Sequence, residues 1–302
     1  MTVLLYISMI FIWGLSWIAI KWQQSNVPME VSIFYRFVIA AVIMLIIGKL
    51  WKKLQPVRRQ DQPYIAMQGL CLFCCNFMAF YSATSFIPSG LVAVIMATAP
   101  IFNAFHSQFF YKTKTTVNFW LGATLGLSGI CLLFAGDLLK TNWSQETLYG
   151  LLFALLGTWL FSMGNMLSMR NSKNNIQPFT ANSYAMIYGC IALLVIIFAR
   201  GLSFEFSAST EYVGGLLYLA IPATVLGFTF YLMLVDRLGA SNAAYLLVLT
   251  PIVALTASSI FESYHWTIYS SLGLVLVMLG NVLTQRKKPV FGTPKRQSIA
   301  IN

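Results

Sequence analysis

The sequence predicts an all-α integral membrane protein of ten transmembrane helices, arranged as two inverted five-helix repeats. Three observations predict it. The composition is too apolar for water: of 302 residues 58% are hydrophobic and 9% charged, with mean hydropathy +0.75, whereas a soluble domain carries about a quarter charged residues. The apolar residues fall in runs of about 18 to 23, the length a helix needs to cross about 30 Å of hydrocarbon, with no ten-residue alternation of the barrel type. One stretch also occurs twice. Asp236 to Arg286 lies over Ser85 to Ala135 when the chain is shifted by 151 positions, which sets Pro251 over Pro100, Phe261 over Phe110, Gly273 over Gly122 and Gly280 over Gly129.

In hydrocarbon a spanning segment has to satisfy its own backbone, so each run reads as a helix. The first, Val3 to Ile20, has neither a basic leader nor a small-x-small cleavage site before its polar exit, and is read as a retained span. The second, Val31 to Gly48, ends at a lysine. The third, Tyr64 to Phe86, carries a CxxCC run. The fourth, Ser89 to Tyr111, holds Pro100, and the fifth, Val117 to Ala135, holds Gly122 and Gly129 at i, i+7. Leu148 to Met169, Phe179 to Ala199 and Tyr212 to Leu234 follow, then Ala240 to Phe261 with Pro251 inside it, and Thr267 to Gln285 with Gly273 and Gly280. Connections are short, so neighbouring spans pack antiparallel, and no soluble domain fits between them. The five cysteines all lie in apolar runs with no acid or histidine beside them, which makes them packing residues.

The net charge of +11 invites a nucleic-acid reading until the charges are placed. Fifteen Lys and Arg, among them Lys49, Lys52, Lys53, Arg58, Arg59, Arg170, Lys173 and Arg286, fall on one set of alternate connections; Lys21, Lys140 and Arg200 fall on the other. The basic side is expected to be cytoplasmic, with both termini of the multi-pass chain inside. Topology accounts for the charge, and no nucleic-acid partner is expected. Residues 287–302 read as a disordered basic cytoplasmic tail lying near anionic lipid.

Five helices separate equivalent points of the two copies. Five is odd, so the second copy crosses the membrane in the opposite sense and the halves are related by a pseudo-two-fold axis in the membrane plane. WGLS at Trp13 to Ser16 lies over WLFS at Trp159 to Ser162, 146 positions on, so about five residues are inserted in a loop of the second half. Inverted halves can exchange shapes, which is alternating access.

The pieces FIWGLSWIAIK, VSIFYRFVIAA, SGLVAVIMATAPIF, GATLGLSGICLL, LGASNAAYLLVLTPIVALTASSIFE and LGLVLVMLGNVL together resemble the EamA-type members of the drug/metabolite transporter superfamily, from about Leu4 to Gln285. The resemblance implies a first EamA repeat at 1–136, a second at 137–286 and the tail beyond. It also implies a secondary transporter of the bacterial inner membrane, commonly an exporter of amino acids or related metabolites. The family tends to carry an acidic residue after both the fourth and ninth helices. Here Glu262 is present, and its counterpart is Tyr111 followed by Lys112.

Polar side chains at membrane depth are the candidate site residues. Pro100 and Pro251 remove backbone donors from the carbonyls near Met96 and Leu247 and are candidate hinges. Arg36 is the one Arg or Lys well inside a span. It either binds a substrate carboxylate, pairs with Glu30 or Glu262, or snorkels outward. His106, at i+3 from Asn103, is a candidate proton carrier, with an interhelical hydrogen bond the favoured reading; Glu262 is the other candidate for gating. Asn76, Tyr81, Asn103, Asn165, Asn182, Tyr231 and Tyr245, with Trp13, Trp17 and Trp159, would supply aromatic walls and amide dipoles suited to a small zwitterion. Trp13 and Trp159 occupy matching places in the halves.

The expected partners are a small-molecule substrate and the bilayer, with the chain a monomer or weak homodimer. No Asp or Glu lies mid-membrane, which counts against polyspecific efflux of organic cations, and one buried arginine is too few for a phosphorylated substrate. Two distant histidines without an intramembrane acid offer no catalytic set, metal site or cofactor site, so an enzyme is not expected. The remaining alternative is a scaffold or receptor that does not transport, for which the inversion has no evident use.

Overall fold

Without water to bond to, the backbone of each spanning run can only coil on itself. The computed structural model describes residues 2–112, 116–135, 145–238 and 246–285, and among these there are helices and no strand. Ten helices run in order: α1 Thr2–Trp22, α2 Met29–Leu50, α3 Arg59–Phe86, α4 Ser89–Tyr111, α5 Val117–Leu133, α6 Gln145–Lys173, α7 Pro178–Ala199, α8 Thr210–Leu234, α9 Leu246–Phe261 and α10 Ile268–Gln285. Seven are long and apolar enough to cross a membrane, and α5, α9 and α10 are shorter apolar helices. The observed ends agree with the predicted runs to within a few residues. The first residues of the predicted ninth run, Tyr245 and the basic tail at 287–302 lie outside the described residues.

Large apolar side chains cover the outside. Phe105, Phe109, Trp120, Leu127, Val195 and Ile268 are all exposed, the arrangement of a protein whose solvent at that depth is lipid. The four helix ends at Trp22, Met29, Phe86 and Phe261 lie on one side of the bundle, here named the Glu262 end; those at Leu50, Arg59, Tyr111 and Lys173 lie on the other, the Arg170 end.

The packing repeats the duplication. α5 lies against α10, α2 against α7 and α4 against α9, each a pair that maps onto itself when five helices are added. α3 against α6 maps onto α8 against α1, and α1 against α9 maps onto α6 against α4. The α5–α10 pair is closest, because glycines remove the side chains between the backbones. A Cβ built on Gly122 would stand 2.5 Å from the Gly280 carbonyl oxygen, and one on Gly129 would stand 2.7 Å from that of Gly273. The glycines that overlay in sequence are thus crossed in space, as an in-plane two-fold axis demands.

Four spans depart from, or have to be rescued into, regular α geometry. α4 is interrupted between Met96 and Ala99, and Pro100 enters its second segment in the first turn, where a missing N–H is harmless. Thr98 closes the break by donating both its N–H (3.0 Å) and its hydroxyl (2.6 Å) to the Ile95 carbonyl. α9 runs unbroken through Pro251; the Leu247 carbonyl that the proline deprives of a donor takes one from the Thr250 hydroxyl at 3.2 Å. The two prolines that coincide in sequence therefore act differently, one at a break and one inside a continuous helix. α3 and α8 contain π-helical turns, Leu70–Cys75 and Leu219–Leu226. Under the 151-residue shift Cys75 falls on Leu226, so these turns occupy the same place in the two repeats.

Gly122→Val should lower the thermal midpoint of the detergent-purified protein, since overpacking a tight contact costs about 1–3 kcal/mol. An unchanged midpoint would show that the α5–α10 seam is looser than the structure has it.

Candidate functional site

Burying a guanidinium in hydrocarbon costs about 2.5–3.5 kcal/mol by membrane-insertion measurements, so what surrounds Arg36 decides what it is for. The α2 helix carries it inward to 5% exposure. Its guanidinium carbon lies 4.3 Å from the centre of the Phe77 ring of α3 and 4.9 Å from that of Phe37. Nε and one terminal nitrogen face the Thr224 hydroxyl of α8 at 3.4 and 3.3 Å. The other terminal nitrogen, Nη1, is buried with no partner. Cation–π contacts return about 0.5–2 kcal/mol each, but neither they nor a hydroxyl supplies the negative charge that would neutralise the guanidinium.

The π-turn of α8 prepares this environment. Pro222 lies inside it, and the Thr224 hydroxyl donates to the Leu219 carbonyl five residues back at 2.7 Å. With its hydrogen committed there, Thr224 Oγ1 presents only lone pairs to Arg36. One residue earlier the Ala223 carbonyl accepts the indole N–H of Trp13 at 3.1 Å. Trp13 also packs on Tyr231 at 5.4 Å between ring centres, over Gly227, where a Cβ would stand 2.6 Å from the indole nitrogen. Trp17 lies edge-on to Phe80 at 5.2 Å, Phe37 to Phe73 at 5.3 Å and Phe73 to Phe228 at 6.0 Å. The result is an aromatic-walled cluster drawn from α1, α2, α3 and α8, with a positive charge in it.

Tyr81, one turn beyond Phe77, belongs to the same cluster: it is fully buried, is an electrostatic neighbour of Arg36, and its hydroxyl donates to Gln23 Oε1 at 2.5 Å. Gln23, just past the end of α1, is 1% exposed. Its surroundings are held by Lys21 Nζ on the Thr84 carbonyl (2.8 Å) and by Gln24, which bonds the Tyr81 carbonyl and the Thr84 hydroxyl. Asn76 is buried in α3 at the end of its π-turn, and its Oδ1 has no partner.

The acidic residues considered for Arg36 are committed elsewhere. Glu30 pairs with Arg200, just past the end of α7. Glu262 caps the start of α4: its carboxylate accepts from the Ser89 N–H at 3.0 and 3.2 Å, from the Ser89 hydroxyl at 2.6 Å and from Ser258, while Ser258 Oγ takes the Gly90 N–H at 2.7 Å. A carboxylate at a helix N-terminus satisfies groups left without an intrahelical acceptor. Among the described residues Arg36 therefore forms no ion pair, and it is buried rather than snorkelling.

Other predicted residues lie apart. His106 is buried and bonds Ser162 of α6 through Nδ1 at 2.8 Å, the interhelical hydrogen bond favoured above; Asn165 bonds Asn103 at 3.4 Å in the same α4–α6 contact. Trp159 is 40% exposed, with its ring 5.5 Å from His106, so the match with Trp13 in sequence does not bring it into the cluster. Asn182 accepts from Gln68 at 2.8 Å, and Gln68 accepts from Asn171 at 2.8 Å. This chain ends at the Arg170–Asp61 ion pair, 2.5 Å, with Arg170 over the Tyr64 ring, and it ties α3, α6 and α7 at the Arg170 end. Thr224, Phe77 and Gln23 were not among the predicted site residues. A threonine two residues after a proline in α8 was the available signal for the first.

A ten-helix membrane protein built from two packed, opposed repeats, with a charged aromatic cluster between them, is the architecture of a transporter. The comparisons give the family. The model of the EamA-like transporter family matches residues 1–135 and 148–285, and the chain belongs to that family. It is similar to the uncharacterized transporter YoaV of Bacillus subtilis (strain 168), 28% identical over 280 residues that cover 91% of this chain and 93% of the relative. It is similar also to a probable amino-acid metabolite efflux pump of Escherichia coli (strain K12), 21% identical over 304 residues, 97% of this chain and 95% of the relative. A crystal structure shares the fold with a TM-score of 0.65 at 14% identity, covering 94% of this chain and 96% of the other.

Thr224→Val keeps the shape, removes the donor to Leu219 and leaves Arg36 facing a methyl group. It should destabilise the protein by about 1–3 kcal/mol, the cost of orphaning a buried polar group, measured as the shift in thermal unfolding. No shift would mean that the π-turn does not need the hydroxyl.

Proposed function

We propose that this transporter exports small zwitterionic metabolites, amino acids first among them, by alternating access across the plasma membrane with both termini in the cytoplasm. The single observation that carries the substrate reading is Arg36: a buried, permanent cation between aromatic faces, with no carboxylate paired to it among the described residues, fits a site completed by an anionic group on the cargo. The name of the E. coli relative supports the same class. Organic-cation efflux fits less well, since Glu30, Asp61 and Glu262 are each bound at helix ends. Orientation rests on the fifteen-to-three distribution of basic residues, which makes the Arg170 end cytoplasmic.

Movement is assigned to the α4 break. The Ser89–Met96 segment is tied to α9 through Glu262, Ser258 and the close approach of Gly90, where a Cβ would meet Leu255 Cα at 2.7 Å. The Ala99–Tyr111 segment packs on α6. A hinge at Ala97 and Thr98 lets the two segments follow different helices, α9 and α6. We take the halves as 1–136 and 137–286, a division supported by the two matched segments of the family model, 1–135 and 148–285.

Purified protein in liposomes preloaded with amino acids should show counterflow of at least one external labelled amino acid. Arg36→Met should abolish that exchange yet raise the thermal midpoint, because it removes an uncompensated buried charge. Folded protein that moves no amino acid would end the substrate reading. Pro100→Ala should slow transport more than Pro251→Ala, because only Pro100 stands at a break; equal rates in the two variants would remove the hinge from α4.

A further inference from the structure

We infer that Gln23, Tyr81 and Arg36 form a binding site for a monocarboxylate near the Glu262 end of the bundle. The inference rests on the transporter reading of the same cluster, and it adds both the group of the cargo that is bound and a specificity residue, Gln23, that the pattern of spans does not reveal.

Two unused donors flank one phenol. Tyr81 donates its hydroxyl hydrogen to Gln23 Oε1 at 2.5 Å, and Gln23 Nε2 is buried without a partner. Tyr81 also neighbours Arg36, whose Nη1 is likewise buried and without a hydrogen-bond partner. Gln23 and Arg36 are 1% and 5% exposed, so water is not the ready substitute it would be at a surface. Both orphan groups are N–H donors without a hydrogen-bond partner of good geometry among the described residues, and one belongs to a fixed cation whose nearest polar neighbour on this side is the neutral Tyr81 hydroxyl.

A carboxylate is the acceptor that suits this pair. Its two oxygens can take one donor each, the guanidinium supplies a planar charged partner, and one negative charge cancels one positive charge. A phosphate monoester would bring nearly two charges against a single arginine. The positioning of the donors is built in: the Thr224 hydroxyl and the Phe37 and Phe77 rings fix the rest of the guanidinium, while Lys21 and Gln24 fasten the end of α1 to α3.

The test uses the full chain in detergent, with thermal midpoints recorded against three sets of probes: L-amino acids, their methyl esters, and carboxylic acids of the same side chain lacking the amino group. Free carboxylates should raise the midpoint and esters should not. Gln23→Leu and Arg36→Gln should each weaken the apparent affinity about tenfold or more, the loss of a charge-assisted or buried hydrogen bond. Gln23→Glu should raise the midpoint without any probe and abolish the response to carboxylates, because its own carboxylate meets Arg36; this variant does not depend on Gln23→Leu folding. Esters that stabilise as well as acids, or a Gln23→Glu protein with wild-type midpoint and response, would overturn the site. If acids lacking the amino group stabilise and amino acids do not, the carboxylate site stands and the amino-acid reading falls. If amino acids exchange in liposomes but no free acid shifts the midpoint, transport stands and the site falls.

Discussion

The bilayer offers a helix no water to repair a broken turn, and that one constraint shapes every irregularity of this protein. A transporter needs backbone that departs from the regular α ladder, and hydrocarbon makes each abandoned carbonyl or amide costly. Hydroxyl groups fill the gap. Thr224 serves the Leu219 carbonyl in the π-turn of α8, Thr250 serves Leu247 before Pro251, and Thr98 serves Ile95 at the α4 break. At the start of α4, Ser258 and Glu262 take the first amides. Each is a short polar side chain next to the group it serves, so the irregular backbone stays closed to lipid while remaining able to rearrange.

Helix association in lipid has no hydrophobic drive of its own, and close packing has to replace it. The α5–α10 glycine contacts do so at a seam that lies on the axis relating the halves, whereas the contacts that would have to change during transport lie elsewhere. The Glu262 cap and the Glu30–Arg200 pair are at one end; the Gln68, Asn171, Asn182 and Arg170 network is at the other. A dry, apolar seam at the axis and polar fastenings toward the ends are a reasonable division between what holds the dimer of halves together and what can be exchanged.

The spans, the duplication and the Pro100 interruption were legible in the sequence because each depends on composition, length or a residue with one backbone habit. The partners of polar side chains were not. Glu30 and Glu262 are as near to Arg36 in the span diagram as Arg200 and Ser89 are to them, and only the rotation of each helix about its axis decides which pair meets. Trp159 matched Trp13 in register and still lies outside the cluster, half exposed beside His106, since an alignment of repeats carries no information about later divergence in packing. Pro251 looked equivalent to Pro100; Thr250 keeps its helix continuous. Gln23 sits in the polar exit of α1, where a glutamine ordinarily means a solvated turn, and the fold buries it.

The π-turns of α3 and α8 have a consequence for how the two halves are lined. A π-turn closes its hydrogen bonds over one residue more than the α-helix around it, so the side chains beyond it are rotated relative to those before it. These two lie at one register in the two halves, so both third helices of the repeats re-aim their side chains at the same height. What differs is the lining that is re-aimed: a threonine that faces Arg36 in one copy, and at the position 151 residues earlier Phe73, within a run of cysteines, in the other.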